Sequence, residues 1–230
     1  MTDAPDGPPA PGPPDVPGAP LTPSGPGVPR GGPRMPPPAA GVAGSREAVR
    51  IRTVHTAELA PAERAALRSL LEEAFAGHPD GDFDDADWDH TIGGMHALAW
   101  EGAALIGHAA VVQRRLLHRG RALRTGYVEG VAVRADRRGQ GHGAAVMAAA
   151  ERIIRGAYEL GALASAQAAT AFYTGRGWQP WRGPTAVLTP ENGITPTPDE
   201  DGWIHVLPVA GTTLDQSATL TCDWRPGEVW

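Results

Sequence analysis

The stretch YVEGVAVRADRRGQGHG, residues Tyr127–Gly143, changes character at its middle and predicts a strand, then a loop, then a helix. Its first half alternates like a strand, its second half is rich in glycine, and apolar residues then recur with helical spacing. Gly139, Gly141 and Gly143 allow a ligand to approach the backbone, and the first N–H groups of the new helix point toward that ligand. The stretch therefore favours an anionic ligand, with phosphate as the best fit.

Other kinds of glycine-rich loop fit the stretch less well. A Walker loop needs Lys followed by Ser or Thr after its glycines, and the chain contains no lysine. A dinucleotide-binding loop has a different glycine spacing and needs an acidic residue at the end of a following parallel strand, which we do not find. A glycine-rich turn that binds no ligand stays open as the alternative.

The N-terminal fifth of the chain differs in composition from the rest. Residues 1–44 contain 15 prolines and 9 glycines and almost no large apolar side chain. Such a segment cannot bury enough surface to offset the entropy lost on ordering. We therefore expect residues 1–45 to be a disordered tail and residues 46–230 to form one folded domain.

Composition also excludes several classes of function. With 20 basic against 26 acidic residues, the chain lacks the basic excess that binds nucleic acid. No apolar run approaches the ~18 residues of a membrane span and no secretory signal is recognisable, so we expect a cytoplasmic protein that does not bind membranes. The single cysteine, Cys222, excludes an intramolecular disulfide and a cysteine-based zinc site, and we expect it to be buried.

The remaining patterns predict alternating strands and helices. Strands are expected at residues 50–55, 95–100, 104–117, 122–133, 160–165, 185–188 and 203–209. Helices are expected at residues 59–75, after Gly143, and at residues 167–174. Short connections that contain glycine join the second, third and fourth strands and are typical of an antiparallel meander. The order predicts an α/β fold with a sheet of mixed direction.

Two groups of polar residues could bind ligands. The run HPDGDFDDADWDH, residues 78–90, contains six aspartates and two aromatic residues. These aspartates are either helix caps in a solvated loop or part of a lid that binds cations, while an EF-hand is excluded by its glycine and glutamate positions. His96, His108 and His118 lack metal-ligand spacing, so we interpret them as sheet or surface histidines and expect no metal.

Two segments resemble the GNAT superfamily of N-acetyltransferases. The spacing Arg138-x-x-Gly141-x-Gly143, after a Val-x-Val strand end, is similar to the loop that binds the pyrophosphate of acetyl-coenzyme A in those enzymes. One strand and one helix later, Phe172-Tyr-Thr-Gly-Arg-Gly-Trp178 is similar to their segment in which a tyrosine precedes Gly-Phe or Gly-Trp. The resemblance implies the GNAT fold, with a mixed, mostly antiparallel sheet flanked by helices.

Longer strings resemble one family of that superfamily, the aminoglycoside 2'-N-acetyltransferases of mycobacteria and related actinobacteria. These strings are residues 83–88, 93–98, 113–116, 126–136, 155–158 and 222–230, and the similarity extends from about residue 50 to residue 230. The chain departs from that family in the extra residues 78–81, in Ala164 where the family has serine, and in Glu228 where it has aspartate. The resemblance implies acetyl transfer from acetyl-coenzyme A to the 2'-amino group of an aminoglycoside, by a homodimer that needs no metal.

The resemblance also implies which residues bind the two substrates. Acetyl-coenzyme A would contact Val131, Val133, Arg138, Gly139, Gln140, Gly141, His142 and Gly143. The acceptor would contact Asp82, Asp87, Glu129, Gly130, Glu200, Glu228 and the terminal carboxylate of Trp230. Aminoglycosides carry several ammonium groups, so several weak pairs with carboxylates would cooperate. Trp230 as a frayed end stays open as the alternative.

The residues themselves suggest how such a transfer would proceed. An acceptor amine is mostly protonated at neutral pH and needs a base before it attacks a thioester, and Glu129 is the best candidate. Gly130 permits the strand to bulge, which would open the backbone N–H of Val131 to the thioester oxygen. Tyr173 can protonate the leaving thiolate. As alternatives, Glu129 faces solvent and Tyr173 only packs in the core.

Two other functions stay open. The natural acceptor could be another amino sugar, such as a cell-wall component, with acetylation of antibiotics incidental. The domain could also bind acetyl-coenzyme A without catalysis, although the presence of both Glu129 and Tyr173 argues against this interpretation.

Overall fold

The computed structural model describes residues 47–77 and 81–230. The predicted tail and residues 78–80 of the acidic run lie outside the described residues. The helices are α1 (Pro61–Phe75), α2 (Asp85–Thr91), α3 (His142–Ala157) and α4 (Thr170–Thr174). The strands are β1 (Val49–His55), β2 (Met95–Glu101), β3 (Ala104–His118), β4 (Arg121–Val133), β5 (Leu160–Ala164), β6 (Gln179–Pro180), β7 (Thr185–Thr189), β8 (Gly193–Pro196), β9 (Ile204–Pro208) and β10 (Leu220–Asp223). None of the described helices is long and apolar enough to cross a membrane.

Strand β3 lies at the centre of the sheet, and most of its side chains are buried. One of its edges pairs antiparallel with β4, and the other pairs with β2 along its first half and with β10 along its second half. Beyond β4 follow β5, β9 and β6, and beyond β10 follow β7 and β8. The pairings β4 with β5 and β10 with β7 are parallel, and the others are antiparallel. The predicted mixed, mostly antiparallel sheet is confirmed.

Helices α1 and α3 cover opposite faces of the sheet. Ala97 and Ala99 of β2 pack in the cluster that contains α3, whereas Leu98 between them packs in the cluster that contains Leu67 and Leu71 of α1. This division follows from the two-residue period of a strand, which sends successive side chains to opposite faces. The core therefore has two layers, and both faces of the β2–β4 meander are buried.

Three short strands were not expected from the sequence. β8 lies between the strands expected at residues 185–188 and 203–209, in a segment for which no strand was predicted. β8 is four residues long, ends at Pro196 and is only half-buried at the sheet edge, so it has little apolar alternation to recognise. β6 has two residues and β10 has four, which is below the length at which alternation is informative. Cys222 of β10 is buried, as expected.

Strands β4 and β5 separate where the site forms. Their parallel pairing covers only Thr125, Gly126 and Tyr127, opposite Leu160, Gly161 and Ala162. β4 then continues to Val133 and β5 to Ala164 without further pairing to each other. Because the two strands diverge, backbone groups of β4 after Tyr127 face a gap in the sheet instead of a neighbouring strand.

Candidate active site

The bulge expected at Gly130 is confirmed. His108 of β3 lies opposite Ala132, but two residues later Ala110 lies opposite Glu129, so β4 contains one extra residue in this interval. Gly130 has a positive φ of 57°, which an L side chain rarely adopts. A Cβ there would lie 3.1 Å from Thr91 Cγ2 and 3.3 Å from Leu71 Cδ2, so space as well as conformation favours glycine.

A cavity of about 600 Å³ opens at this bulge, between the diverging strands. All the residues predicted to carry catalysis or acceptor binding line it: Asp82, Asp87, Glu129, Gly130, Val131, Tyr173, Glu200, Glu228 and Trp230. Phe75, Phe83 and Trp203 supply aromatic walls, and Asp199 adds a further carboxylate. The cavity thus combines six acidic side chains with apolar ring faces.

Glu129 is held inside the cavity by an arginine. Its carboxylate Oε1 accepts a hydrogen bond from Arg225 Nη1, and its side chain is only 16% exposed. Burial raises the pKa of Glu129 above its ordinary value, while the charge of Arg225 opposes this shift. The alternative that Glu129 simply faces solvent is therefore wrong.

Tyr173 both packs in the core and lines the cavity. Its ring lies 6.3 Å from the Trp178 ring and 5.9 Å from the His205 ring, and the residue is 6% exposed. Burial raises the pKa of Tyr173 to about 12, so its hydroxyl keeps its proton at neutral pH. The core-packing interpretation is therefore confirmed, and the functional role of Tyr173 stays a prediction.

The segment from Asp223 to Trp230 is fixed by two arginines. Arg114 donates to Asp223 Oδ1 at 2.8 Å and to Val229 O at 2.7 Å. Arg225 donates to Glu228 O at 2.7 Å and to Trp230 O at 2.8 Å. The Trp230 indole N–H donates to Thr197 Oγ1 at 2.9 Å, and the residue is 3% exposed. The interpretation of Trp230 as a frayed end is wrong.

The aspartates of the acidic run divide between capping and the cavity. Asp84 caps α2 by accepting hydrogen bonds from the N–H groups of Ala86 and Asp87, and Asp85 pairs with Arg68 at 2.6 Å. Asp87 completes the capping box through Oδ2, which accepts from the Asp84 N–H at 3.0 Å, and it also lines the cavity. Asp82 lines the cavity while it accepts from the Gly77 N–H at 2.6 Å. Capping is therefore confirmed for Asp84 and Asp87, while the binding of cations by Asp82 and Asp87 stays a prediction.

The predicted coenzyme loop lies between β4 and α3 and presents an open backbone. Gly139 and Gly141 have positive φ angles of 72° and 86°, and no atom lies within 4 Å of a Cβ placed on either. Gly141 is the N-cap of α3, which has no side-chain cap, so the first N–H groups of this helix are left for a ligand. Gly143 has an ordinary φ and space for a Cβ, so it does not require glycine.

The other predicted coenzyme residues surround this backbone. Arg138 donates to Val133 O at 3.1 Å and Gln140 donates to Asp136 O at 3.3 Å, which ties the loop to the end of β4. His142 is the first residue of α3. Val131 lines the cavity and Val133 ends β4, so the strand connects the acceptor cavity to the loop. The open, uncapped backbone fits a pyrophosphate.

Asp199, Trp203 and Arg225 are among the cavity residues that were not anticipated. Asp199 precedes Glu200, so an extension of that prediction by one residue would have included it. Arg225 lies within the string 222–230, but its contact with Glu129 joins residues 96 positions apart. No local pattern signals such a contact.

Comparison with known proteins agrees with this geometry. The model of the acetyltransferase (GNAT) family matches residues 64–178. Aminoglycoside 2'-N-acetyltransferase of Mycolicibacterium fortuitum is 56% identical over 182 residues, which is 78% of this chain and 91% of that protein. Escherichia coli ElaA has a similar fold with a TM-score of 0.52 and 18% identity, covering 69% of this chain and 99% of that one.

A GNAT family acetyltransferase from Brucella melitensis, solved in complex with acetyl-CoA, has a TM-score of 0.52 and 16% identity, covering 76% of this chain and 95% of that one. At such identities the two solved structures support the fold alone. The family model and the Mycolicibacterium relative go further: this chain belongs to the GNAT family of acetyltransferases and, within it, to the aminoglycoside 2'-N-acetyltransferases.

Proposed function

We propose that this protein transfers the acetyl group of acetyl-CoA directly to the 2'-amino group of an aminoglycoside. The observation that carries the proposal is the carboxylate-lined cavity between the diverging strands β4 and β5, which Glu129 and Tyr173 both line. The bound acetyl-CoA would supply an activated acetyl group as a thioester. The relative named for this activity, at 56% identity, supports the same assignment.

Glu129 acts as the general base in this proposal. The acceptor amine is an ammonium group at neutral pH and must lose a proton before it can attack. A carboxylate whose pKa is raised by burial accepts that proton more readily than an exposed one. Arg225 binds Oε1 and keeps the carboxylate ionised, so the other oxygen takes the proton, directly or through a water molecule.

Val131 and Tyr173 complete the chemistry. The N–H of Val131 donates to the thioester oxygen as negative charge develops there. A bond forms between the amine nitrogen and the acetyl carbon, and the bond between that carbon and sulfur breaks. Tyr173 gives its proton to the departing thiolate, and its raised pKa, about 12, keeps that proton available at neutral pH. No covalent bond to the protein is needed.

The acidic residues hold the acceptor. Asp82, Asp87, Asp199, Glu200 and Glu228 are distributed around the cavity, so different ammonium groups of one aminoglycoside can each meet a carboxylate. A partly exposed ion pair contributes only about 0.2 to 1 kcal/mol. Binding therefore needs several such pairs together with contact between the sugar rings and the aromatic walls.

The loop at residues 138–143 would hold the pyrophosphate of acetyl-CoA. Its backbone N–H groups and the N-terminus of α3 carry partial positive charge, which favours phosphate oxygens. Gly139 and Gly141 add no side chain that would hinder the approach of the phosphates. The homodimer that the resemblance implies and a role in antibiotic resistance stay predictions.

Another amino sugar as natural acceptor is the second candidate, since a cavity of about 600 Å³ with dispersed carboxylates accepts more than one polyamine shape. A module that binds acetyl-CoA without catalysis would have no use for a cavity lined by both a buried carboxylate and a protonated tyrosine.

A matched pair of aminoglycosides tests the proposal, one with an amino group and one with a hydroxyl group at the 2' position. With acetyl-CoA and purified protein, we expect mass spectrometry to show one added acetyl group on the amine alone, and NMR to place it at the 2' nitrogen. Acetylation of both compounds, or at another nitrogen, would contradict the assigned position. Expression in a susceptible bacterium should raise resistance to the amine compound only.

A further inference from the structure

A chain of buried polar side chains ends on the active-site bulge and has no role in the mechanism above. Thr56 Oγ1 lies 2.7 Å from His96 Nε2, His96 Nδ1 lies 2.9 Å from His108 Nε2, and His108 Nδ1 lies 2.7 Å from the carbonyl oxygen of Gly130. Both histidines are fully buried and Thr56 is 7% exposed. The three side chains join the end of β1 to the bulge in β4.

The direction of every hydrogen bond in this chain follows from its last member. The Gly130 carbonyl can only accept, so His108 Nδ1 carries a proton and donates it. In a neutral ring His108 Nε2 must then accept, and His96 Nδ1 donates to it. His96 Nε2 accepts in turn from the Thr56 hydroxyl at 2.7 Å, which has the Gly94 carbonyl oxygen as a second, longer acceptor at 3.1 Å, and the Thr56 oxygen accepts from the Gly93 N–H at 3.0 Å. Burial keeps both rings neutral, lowering the pKa of His96 to about 4 and that of His108 to about 3.

The hydrogen-bonded side chains end on the carbonyl of the Gly130–Val131 peptide unit. The N–H of that same unit is the proposed donor to the thioester oxygen. A trans peptide unit is planar, and its C=O and N–H groups point in opposite directions. The described residues contain no cis peptide bond. Since His108 holds the Gly130 carbonyl, the N–H of Val131 in the same unit points away from His108. Gly130 and Val131 both line the cavity, and neither has a partner residue in the pairing of β3 with β4.

We propose that His108, with His96 and Thr56 behind it, is a positioning residue that fixes and polarises the Gly130–Val131 peptide so that its N–H is aimed at the thioester oxygen. This inference rests on the proposed function, because it assigns the N–H of Val131 to that oxygen. Four aligned hydrogen bonds, from Thr56 to the thioester, strengthen one another in a buried environment.

The cost of the arrangement argues against simple core filling. Two imidazoles and a hydroxyl are buried among apolar residues such as Leu71, where aliphatic side chains would avoid the loss of hydration. Every polar atom of the three side chains has a partner, and the last partner is the bulge itself.

Four variants test the proposal. His108→Phe keeps a ring but removes the donor, and His108→Asn restores an N–H near the position of Nδ1. Thr56→Val removes the first hydroxyl, and Thr56→Ser retains it. We expect His108→Phe to lower kcat about 10- to 100-fold with little change in the KM of either substrate, because the contact from the Val131 N–H is weak in the ground state and strengthens as negative charge develops on the thioester oxygen. His108→Asn should recover most of this loss, and Thr56→Val should lose more than Thr56→Ser.

Two spectroscopic measurements separate positioning from a general structural effect. In ligand-free protein, nitrogen-15 NMR should show both rings neutral at neutral pH with the proton on Nδ1. The infrared carbonyl band of bound acetyl-CoA should lie lower than that of free acetyl-CoA, and His108→Phe should move it back. His118→Phe is the matched control. His118 is also a buried sheet histidine, but it accepts from the Asp215 N–H and does not belong to the series from Thr56 to Gly130. Its replacement should leave the infrared band where it is.

The outcomes distinguish this inference from the proposed function. If wild-type protein shows the lowered carbonyl band but acetylates no aminoglycoside, the assigned acceptor is wrong and the positioning role stands. If wild-type protein acetylates aminoglycosides while His108→Phe leaves kcat and the carbonyl band at wild-type values, the positioning role is wrong. The positioning role is also wrong if the kcat of His108→Phe falls only in proportion to the fraction of folded protein while the carbonyl band of bound acetyl-CoA stays unchanged.

Discussion

The coenzyme loop and the acceptor cavity are built in opposite ways. The loop consists of six consecutive residues, 138–143, and offers mainly backbone N–H groups between one strand and the next helix. The cavity offers side chains from separate parts of the chain, at residue 75 and at residues 81–91, 128–131, 163–173, 199–203 and 225–230. A site made of backbone can be recognised from contiguous sequence, whereas a site made of side chains exists only after the sheet has formed.

The largest effect is expected from a substitution that removes the proposed general base and leaves the coenzyme loop and the acceptor cavity otherwise intact. Glu129→Gln should lower kcat about 10²- to 10⁴-fold, because the amide cannot accept the proton. Only ionised Glu129 is active and burial raises its pKa above 4.5, so wild-type activity should fall as the pH drops through that raised pKa. The variant should lack this acidic limb in its pH profile of kcat.

Glu151→Gln is the matched control for that experiment. Glu151 is also buried and paired with an arginine, since it accepts from Arg176 at 2.7 and 3.0 Å, but it lies on α3 outside the cavity. We expect this variant to lose stability and keep the acidic limb. A Glu129→Gln enzyme with wild-type kcat and pH profile would remove Glu129 from the mechanism.

A smaller effect should be confined to the coenzyme loop. Gly141→Asp places a negative charge and a strained φ at the N-cap of α3, so we expect calorimetry to show acetyl-CoA binding weakened about 10-fold. Gly211→Asp is the control, because Gly211 has a φ of 88° against 86° for Gly141 and similar open space, and it lies outside the loop and the cavity. Equal losses of affinity in the two variants would mean that strain, not phosphate binding, explains the result.

The smallest effect should be confined to the acceptor cavity. Asp87→Asn preserves the capping oxygen but removes one charge, so we expect the KM for an aminoglycoside to rise about 2- to 5-fold and that for acetyl-CoA to stay unchanged. Added salt should shrink this difference, since screening already weakens the pair in the wild type. Asp85→Asn is the control on the same helix, because Asp85 faces Arg68. If Asp87→Asn has the wild-type KM for the aminoglycoside at every ionic strength, Asp87 only caps α2 and does not bind the acceptor.

The same contrast explains how much could be predicted from the sequence. The meander, α3 and the glycine loop were predicted because alternation, helical spacing and glycine are local signals. The bulge was predicted because Gly130 interrupts a strand, and the structure confirms it through the shifted register. Asp82, Asp87, Glu200 and Glu228 were assigned to the acceptor by resemblance, since nothing in the sequence spacing distinguishes Asp87 in the cavity from Asp85 outside it.

Three features could not be predicted because they depend on distant contacts. Arg225 reaches Glu129 only after β10 pairs with β3 and brings the end of the chain beside β4. The hydrogen-bonded chain from Thr56 to Gly130 joins three strands, and the spacing of His96 and His108 suggests no partnership until β2 and β3 pair. β8 forms because β7 offers an edge, which overrides its own weak preference for a strand.

Because Arg225 already pairs with Glu129, an ammonium group that binds this carboxylate would exchange with a guanidinium. An incoming ammonium group must share or replace a guanidinium that already neutralises the carboxylate, so the net gain in binding free energy is the difference between two ion pairs. Acetylation converts that ammonium group into a neutral amide, which no longer competes for Glu129. In the proposed mechanism Arg225 would then recover the carboxylate, and the acetylated product would bind less tightly because it has lost one of its several charge pairs.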